Sequence, residues 1–115
     1  MSCLFKALCN FSPDSTDELR QKICDFLEKN PILFDTIHVS NIVKWEKNKT
    51  LKDYITEMRN NETWGGAIEI KSFCEIYKIQ VNVHTIGGKI ISFIPLTIPT
   101  AIINISWSGN HFTSN

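Results

Sequence analysis

The sequence predicts an α+β fold bordering on α/β, with helices packed on a small, mostly antiparallel β-sheet. Three observations predict it. Apolar residues recur at three- and four-residue intervals through the first two thirds of the chain, the period changes to two after Tyr77, and turn residues divide the last third into short strands. A chain of 115 residues that is 43% hydrophobic and 21% charged is expected to form one domain, residues 1–115, around one modest core.

The first helix is expected over residues 3–11, where Leu4, Phe5, Ala7, Leu8 and Phe11 follow a buried-helix spacing and Cys3 falls in the first turn. Pro13-Asp14 ends it. Ser15 with Glu18 is a capping-box pattern for a second helix, with an apolar stripe of Leu19, Ile23, Phe26 and Leu27 that Asn30-Pro31 stops. Residues 32–49 lack a clear period, with Trp45 isolated among charges, and read as mostly loop with a short helix. Thr50 can cap a helix on which Leu51, Tyr54, Ile55 and Met58 share a face. A polar break over residues 60–63 leads to Trp64-Gly65-Gly66 and a further helix through Ile70, Phe73 and Tyr77.

Alternation of Ile79, Val81 and Val83 with Gln80, Asn82 and His84 marks a half-buried strand, and Gly87-Gly88 can turn it into a second strand over residues 89–93. A third strand places Ile103, Ile105 and Trp107 on one face. Ser108-Gly109-Asn110 then supplies a turn into a short last strand over residues 111–114.

Twelve basic residues balance twelve acidic ones, so no global field draws the chain to nucleic acid or to an anionic membrane. The longest apolar stretch, residues 90–105, is broken by Pro95 and Pro99 and falls short of the roughly 20 residues a spanning helix needs. Neither a signal nor a transit peptide is visible, so an intracellular, cytoplasmic protein with reduced thiols at Cys3, Cys9, Cys24 and Cys74 is expected. The cysteines and the three histidines show no zinc-ligand spacing, and no metal site is expected. The glycosylation-type matches at Asn10, Asn48, Asn61 and Asn104 are read as coincidence in an Asn-rich chain.

The chemistry-bearing pair is Cys3 and His111. A cysteine protease needs a thiolate, a base that accepts and returns its proton, and donors for the oxyanion. Cys3 at a helix start is placed where a thiolate is favoured. His111, after a tight turn at a strand edge, is distant in sequence yet free to be adjacent in space. Cys9, Cys24 and Cys74 lie beside apolar helical positions and read as small hydrophobes. His38 and His84 read as solvated side chains without a role, and Glu69 as a first-turn carboxylate stabilising its helix.

These residues resemble the ovarian-tumour (OTU) family of cysteine proteases. Cys3-Leu4-Phe5-Lys6-Ala7 is similar to the family's nucleophile segment Cys-Leu-Phe-Arg-Ala, and Leu19-Arg20 to its next landmark. Trp64-Gly65-Gly66 followed by Ile68-Glu69-Ile70 resembles Trp-Gly-Gly then Leu-Glu-Leu. Ile79, Val81 and Val83 match the next core strand, and His111-Phe112-Thr113-Ser114 resembles the closing His-Tyr-Asp-Ser. The resemblance implies a papain-like OTU fold and a thiol-dependent deubiquitinase, cleaving isopeptide or peptide bonds at the C-terminus of ubiquitin or a ubiquitin-like modifier. In it Cys3 is the nucleophile and His111 the base. Backbone N–H groups at and just before Cys3 form the oxyanion hole, and Trp64, Gly65 and Gly66 border the channel for the modifier's Gly-Gly tail. It implies no cofactor, ubiquitinated proteins as partners, and a monomer.

Two positions depart from the family pattern. Where the family places an Asp or Asn to orient the histidine, this chain has Thr113, a hydroxyl without charge, with Asn110 and Asn115 as weaker alternatives. The family's Asp three residues before the nucleophile would fall immediately upstream of Met1. A catalytically impaired OTU-like domain that binds ubiquitin or acts as a scaffold is therefore the alternative. A papain-like enzyme for unrelated peptides fits the Cys-before-His order but not Trp64-Gly65-Gly66.

Overall fold

A computed structural model describes residues 2–30, 32–34 and 37–114 of the chain. Ser2 leads into α1 (Cys3–Cys9), a seven-residue helix too short to persist alone in water. Burial holds it: Leu4, Phe5, Ala7 and Leu8 are nearly or wholly inaccessible, against α2 on one side and the last strand on the other. In α2 (Thr16–Lys29) the predicted capping box is present, with Ser15 Oγ accepting from Glu18 N–H at 3.2 Å and Glu18 Oε1 accepting from Ser15 N–H at 3.3 Å. Its buried face carries Leu19, Ile23, Cys24 and Leu27, and also Arg20.

Residues 32–49 are more ordered than the sequence suggests. β1 (Ile32–Phe34) and β2 (Ile37–His38) form a short antiparallel ladder, and α3 (Val39–Lys47) is a nine-residue helix. Only Val39 and Val43 of α3 are fully buried, one pair four residues apart, while Lys44, Trp45, Glu46 and Lys47 face outward. With Ile42 only partly buried beside them, this face is short for a clear period. His38, read as a side chain without a role, instead caps α3, its Nδ1 accepting from Ser40 N–H at 3.2 Å. In α4 (Leu51–Met58) the expected cap is present, Thr50 Oγ1 accepting from Asp53 N–H at 3.1 Å.

α5 (Ala67–Tyr77) is the central helix, buried on every side over residues 68–75. Its polar residues are paired, as buried polar groups must be. Glu69 accepts from Tyr54 and Gly66, Ser72 donates to Ile68 O, and Lys71 and Glu75 form an ion pair at 3.3 Å.

The sheet has the order β4-β3-β5-β6, built from β3 (Ile79–Thr85), β4 (Ile90–Phe93), β5 (Ala101–Trp107) and β6 (Phe112–Ser114). Two of its three ladders are antiparallel, as expected. The central one, β3 with β5, is parallel, so the sheet is mixed. A parallel neighbour requires the chain to cross over after β4, and α5 guides that crossing. Lys71 Nζ donates to Ile94 O, Glu75 Oε2 accepts from Leu96 N–H at 2.9 Å, and Thr100 N–H donates to Lys78 O at 2.8 Å beside the start of β3. Register places Val81 beside Ile103 and Val83 beside Ile105 on the helix-covered face, and Asn82 beside Asn104 and His84 beside Ser106 on the other. Among the described residues no helix is long and apolar enough to cross a membrane.

Candidate active site

Cys3 and His111, 108 positions apart, line one shallow depression of about 230 Å³ with Lys6, Ala7, Asn10 and Thr113. The packing of α1 on β6 brings them together. Asn10 Nδ2, just after α1, donates to Ser114 Oγ at 2.9 Å, which fixes the helix along the edge strand. His111 precedes β6, held by a turn in which Ser108 N–H and Ser108 Oγ both donate to His111 O, at 2.9 and 3.2 Å. Gly109 has φ +102° there, a conformation that favours glycine. Stacking of Phe112 on Trp107, ring centroids 4.6 Å apart, anchors the same hairpin to the core.

Thr113 pairs with Ser106 and lines the depression. Among the described residues no side chain is hydrogen-bonded to the imidazole of His111, and Asn110 instead accepts from Ser108 Oγ at 3.2 Å. Asn115 lies outside the described residues.

Trp64, Gly65 and Gly66 line a second hollow of about 300 Å³, with Tyr54, Met58 and Glu69. Gly65 links it to the first: a Cβ there would lie 2.7 Å from Leu4 Cδ2 and 3.0 Å from Phe5 Cε2, so only glycine lets the loop press on the residues that follow Cys3. Gly66 meets nothing within 4 Å. Its N–H donates to Glu69 Oε1 at 2.7 Å, and Tyr54 OH donates to Glu69 Oε2 at 2.6 Å. Glu69 thus holds the helix start, as its position suggests, and also ties the loop to α4. Burial pushes its carboxyl above the ordinary glutamate value, against these hydrogen bonds and Arg20. Burial, and then the Glu69 carboxylate, raise the Tyr54 phenol.

Sequence reasoning named Arg20 only as a family landmark. The structure makes it a fully buried hub, donating to Met58 O at 2.8 Å, Ser2 Oγ at 3.1 Å and Asn61 O at 3.4 Å, its guanidinium 4.1 Å from the Phe5 ring centre. Burial lowers its pKa. The available signal was its position four and seven residues before Cys24 and Leu27, a charge inside an apolar stripe. Among the cysteines, Cys24 and Cys74 are core residues as expected, their thiols pushed up to about 11 by burial. Cys9 is half-buried, its thiol 3.2 Å from Lys6 O.

The profile of the OTU-like cysteine proteases matches residues 2–111. The chain belongs to this family. An OTU domain solved in complex with ubiquitin superposes with a TM-score of 0.75 at 30% identity, covering 98% of this chain and 62% of that one. Ubiquitin thioesterase OTU1 of Saccharomyces cerevisiae is 30% identical over 116 residues, 98% of this chain and 36% of the yeast protein. Ubiquitin thioesterase otu2 of Schizosaccharomyces pombe is 29% identical over 86 residues, 73% of this chain and 27% of that protein. This OTU chain therefore spans little more than a third of the yeast relative, and 14% of a matching protein of Invertebrate iridescent virus 3.

Proposed function

We propose that the chain is a single OTU-like domain, residues 1–115, that hydrolyses bonds to the C-terminal glycine of ubiquitin or a ubiquitin-like modifier. The observation that carries this reading is the meeting of Cys3 and His111 in one open depression, within a chain of the OTU family. His111 takes the proton of the Cys3 thiol as Sγ adds to the carbonyl carbon, and the oxyanion faces the N–H groups at Ser2 and Cys3. Collapse breaks the C–N bond, with His111 returning the proton to the leaving amine, and water then cleaves the thioester to regenerate the thiol. Each step uses side chains and backbone alone. Trp64, Gly65 and Gly66 flank the tail on this reading, supported by the contact of Gly65 with Leu4 and Phe5 beside the nucleophile.

The test is a ubiquitin whose C-terminal carboxylate is replaced by a small thiol-reactive group. Covalent attachment at Cys3, lost in Cys3→Ala, is the expected result. One observation favours a second reading, a domain that binds ubiquitin with little turnover: Thr113 stands where the family has a charged or amide orienter. Tight binding without attachment would select that reading, and neither binding nor attachment would remove ubiquitin from consideration.

A further inference from the structure

We propose that Arg20 is a positioning residue for acyl transfer, locking the backbone at Ser2 and Cys3 against the turn that leads into Trp64-Gly65-Gly66. The oxyanion role of that backbone rests on the function proposed above. The geometry belongs to Arg20 itself. Its guanidinium is inaccessible to solvent and donates to two parts of the chain at once, Ser2 Oγ before the nucleophile and the carbonyls of Met58, the last residue of α4, and of Asn61 just beyond it. Ser2 Oγ in turn donates to Asn61 O at 3.3 Å, closing a triangle of Arg20, Ser2 and Asn61.

Only a planar fork with several donors serves three acceptors at once while its face lies on an aromatic ring, here Phe5, which is arginine chemistry and not lysine chemistry. A buried cation is costly, and carbonyl and hydroxyl acceptors offset that cost only when they are held in place. The arrangement therefore fixes both partners. Ser2 is the residue before Cys3, so a slack Ser2 would misdirect the N–H groups that must point at the oxyanion, where small displacements are expensive.

Two reactions at Cys3 separate this role from simple structural support. Acylation by p-nitrophenyl acetate passes through an oxyanion and alkylation by iodoacetamide does not; neither requires ubiquitin. Ser2→Ala removes one exposed-side hydroxyl and should leave the fold intact by circular dichroism, while Arg20→Lys keeps the charge but loses the fork. The ratio of acylation to alkylation at Cys3, read by mass mapping, should fall about tenfold in Ser2→Ala and further in Arg20→Lys. With a ubiquitin amide substrate, kcat should fall by the same factor and KM change little. An unchanged ratio, or acylation and alkylation falling together, would overturn the proposal. A reduced ratio in a protein that ignores ubiquitin would keep the positioning role and dismiss the substrate.

Discussion

Gly65 and Gly66 are neighbours that differ in what a methyl group would meet. At Gly65 it would run into Leu4 and Phe5, both buried in the core, so Gly65→Ala should cost about 1–3 kcal/mol in urea unfolding. It should also slow attachment of the ubiquitin probe, because the displaced residues adjoin Cys3. At Gly66 the space is open, so Gly66→Ala should change stability by less than about 1 kcal/mol. If this residue borders the tail channel, the same variant should still slow attachment; full-rate attachment would remove Gly66 from the channel. Glu69, which holds the loop from behind, gives a pH-dependent prediction. Its folded pKa lies above the ordinary 4.5 because of burial, so the folded state binds that proton more tightly than the unfolded chain. The stabilisation this supplies is present at low pH and lost as pH rises through the folded value. The stability of the native protein minus that of Glu69→Gln should therefore decline as pH rises above the ordinary glutamate value, as followed by urea unfolding. A difference that grew over this range would show that the bonds from Tyr54 and Gly66 outweigh burial.

Among the elements, β6 is the shortest strand of the main sheet, and it follows directly on His111. His111 directly precedes the strand, and it and Thr113 both line the depression at Cys3, while Phe112 between them stacks on Trp107. Thr113→Asp should accordingly supply a carboxylate to an imidazolium formed at His111, raising turnover of a ubiquitin amide by about tenfold. Unchanged turnover in a folded variant would mean that another group orients the ring. The elements also show what a sequence can and cannot reveal. The capping box of α2 and the Thr50 cap of α4 were legible because capping depends on residues three apart. α3 was legible only as a short helix within a mostly loop region, since Val39 and Val43 are its fully buried residues, Ile42 is only partly buried beside them, and its cap is a histidine. The alternation of β3 and β5 was plain, but parallel and antiparallel strands alternate alike. What decides the direction is the crossing guided by Lys71 and Glu75, which lie in a helix buried all round. For the site, Cys3 and His111 stood out through their surrounding motifs. The tertiary roles of the supports behind them did not, because the bonds of Arg20 to Met58 and Asn61 and of Tyr54 to Glu69 join residues 15 to 41 apart in sequence.

In the molecule as a whole, α1 does two things at once: it covers the β6 edge of the sheet and carries Cys3 to His111. The four thiols report on that arrangement from different depths. Cys24 in α2 and Cys74 in α5 are fully buried, and with thiol pKa values of about 11 they expose almost no thiolate at neutral pH. Cys74 also donates to Phe93 O at 3.4 Å, across the gap between α5 and β4. Neither can react without opening the core that both share. Cys9 is half-buried but engaged, its sulfur 3.2 Å from Lys6 O and 3.4 Å from Thr16 Oγ1, contacts that must break before it attacks. Cys3 is half-buried with no such contact among the described residues, and it faces an open depression. Brief iodoacetamide treatment of the folded protein should therefore label Cys3 first and Cys9 more slowly, with Cys24 and Cys74 appearing together only as urea unfolds the chain. Early labelling of Cys24 or Cys74 would contradict the shared core. Separate urea midpoints for the two would show α2 and α5 opening independently, and labelling of Cys9 ahead of Cys3 would remove the reason for placing the nucleophile at Cys3.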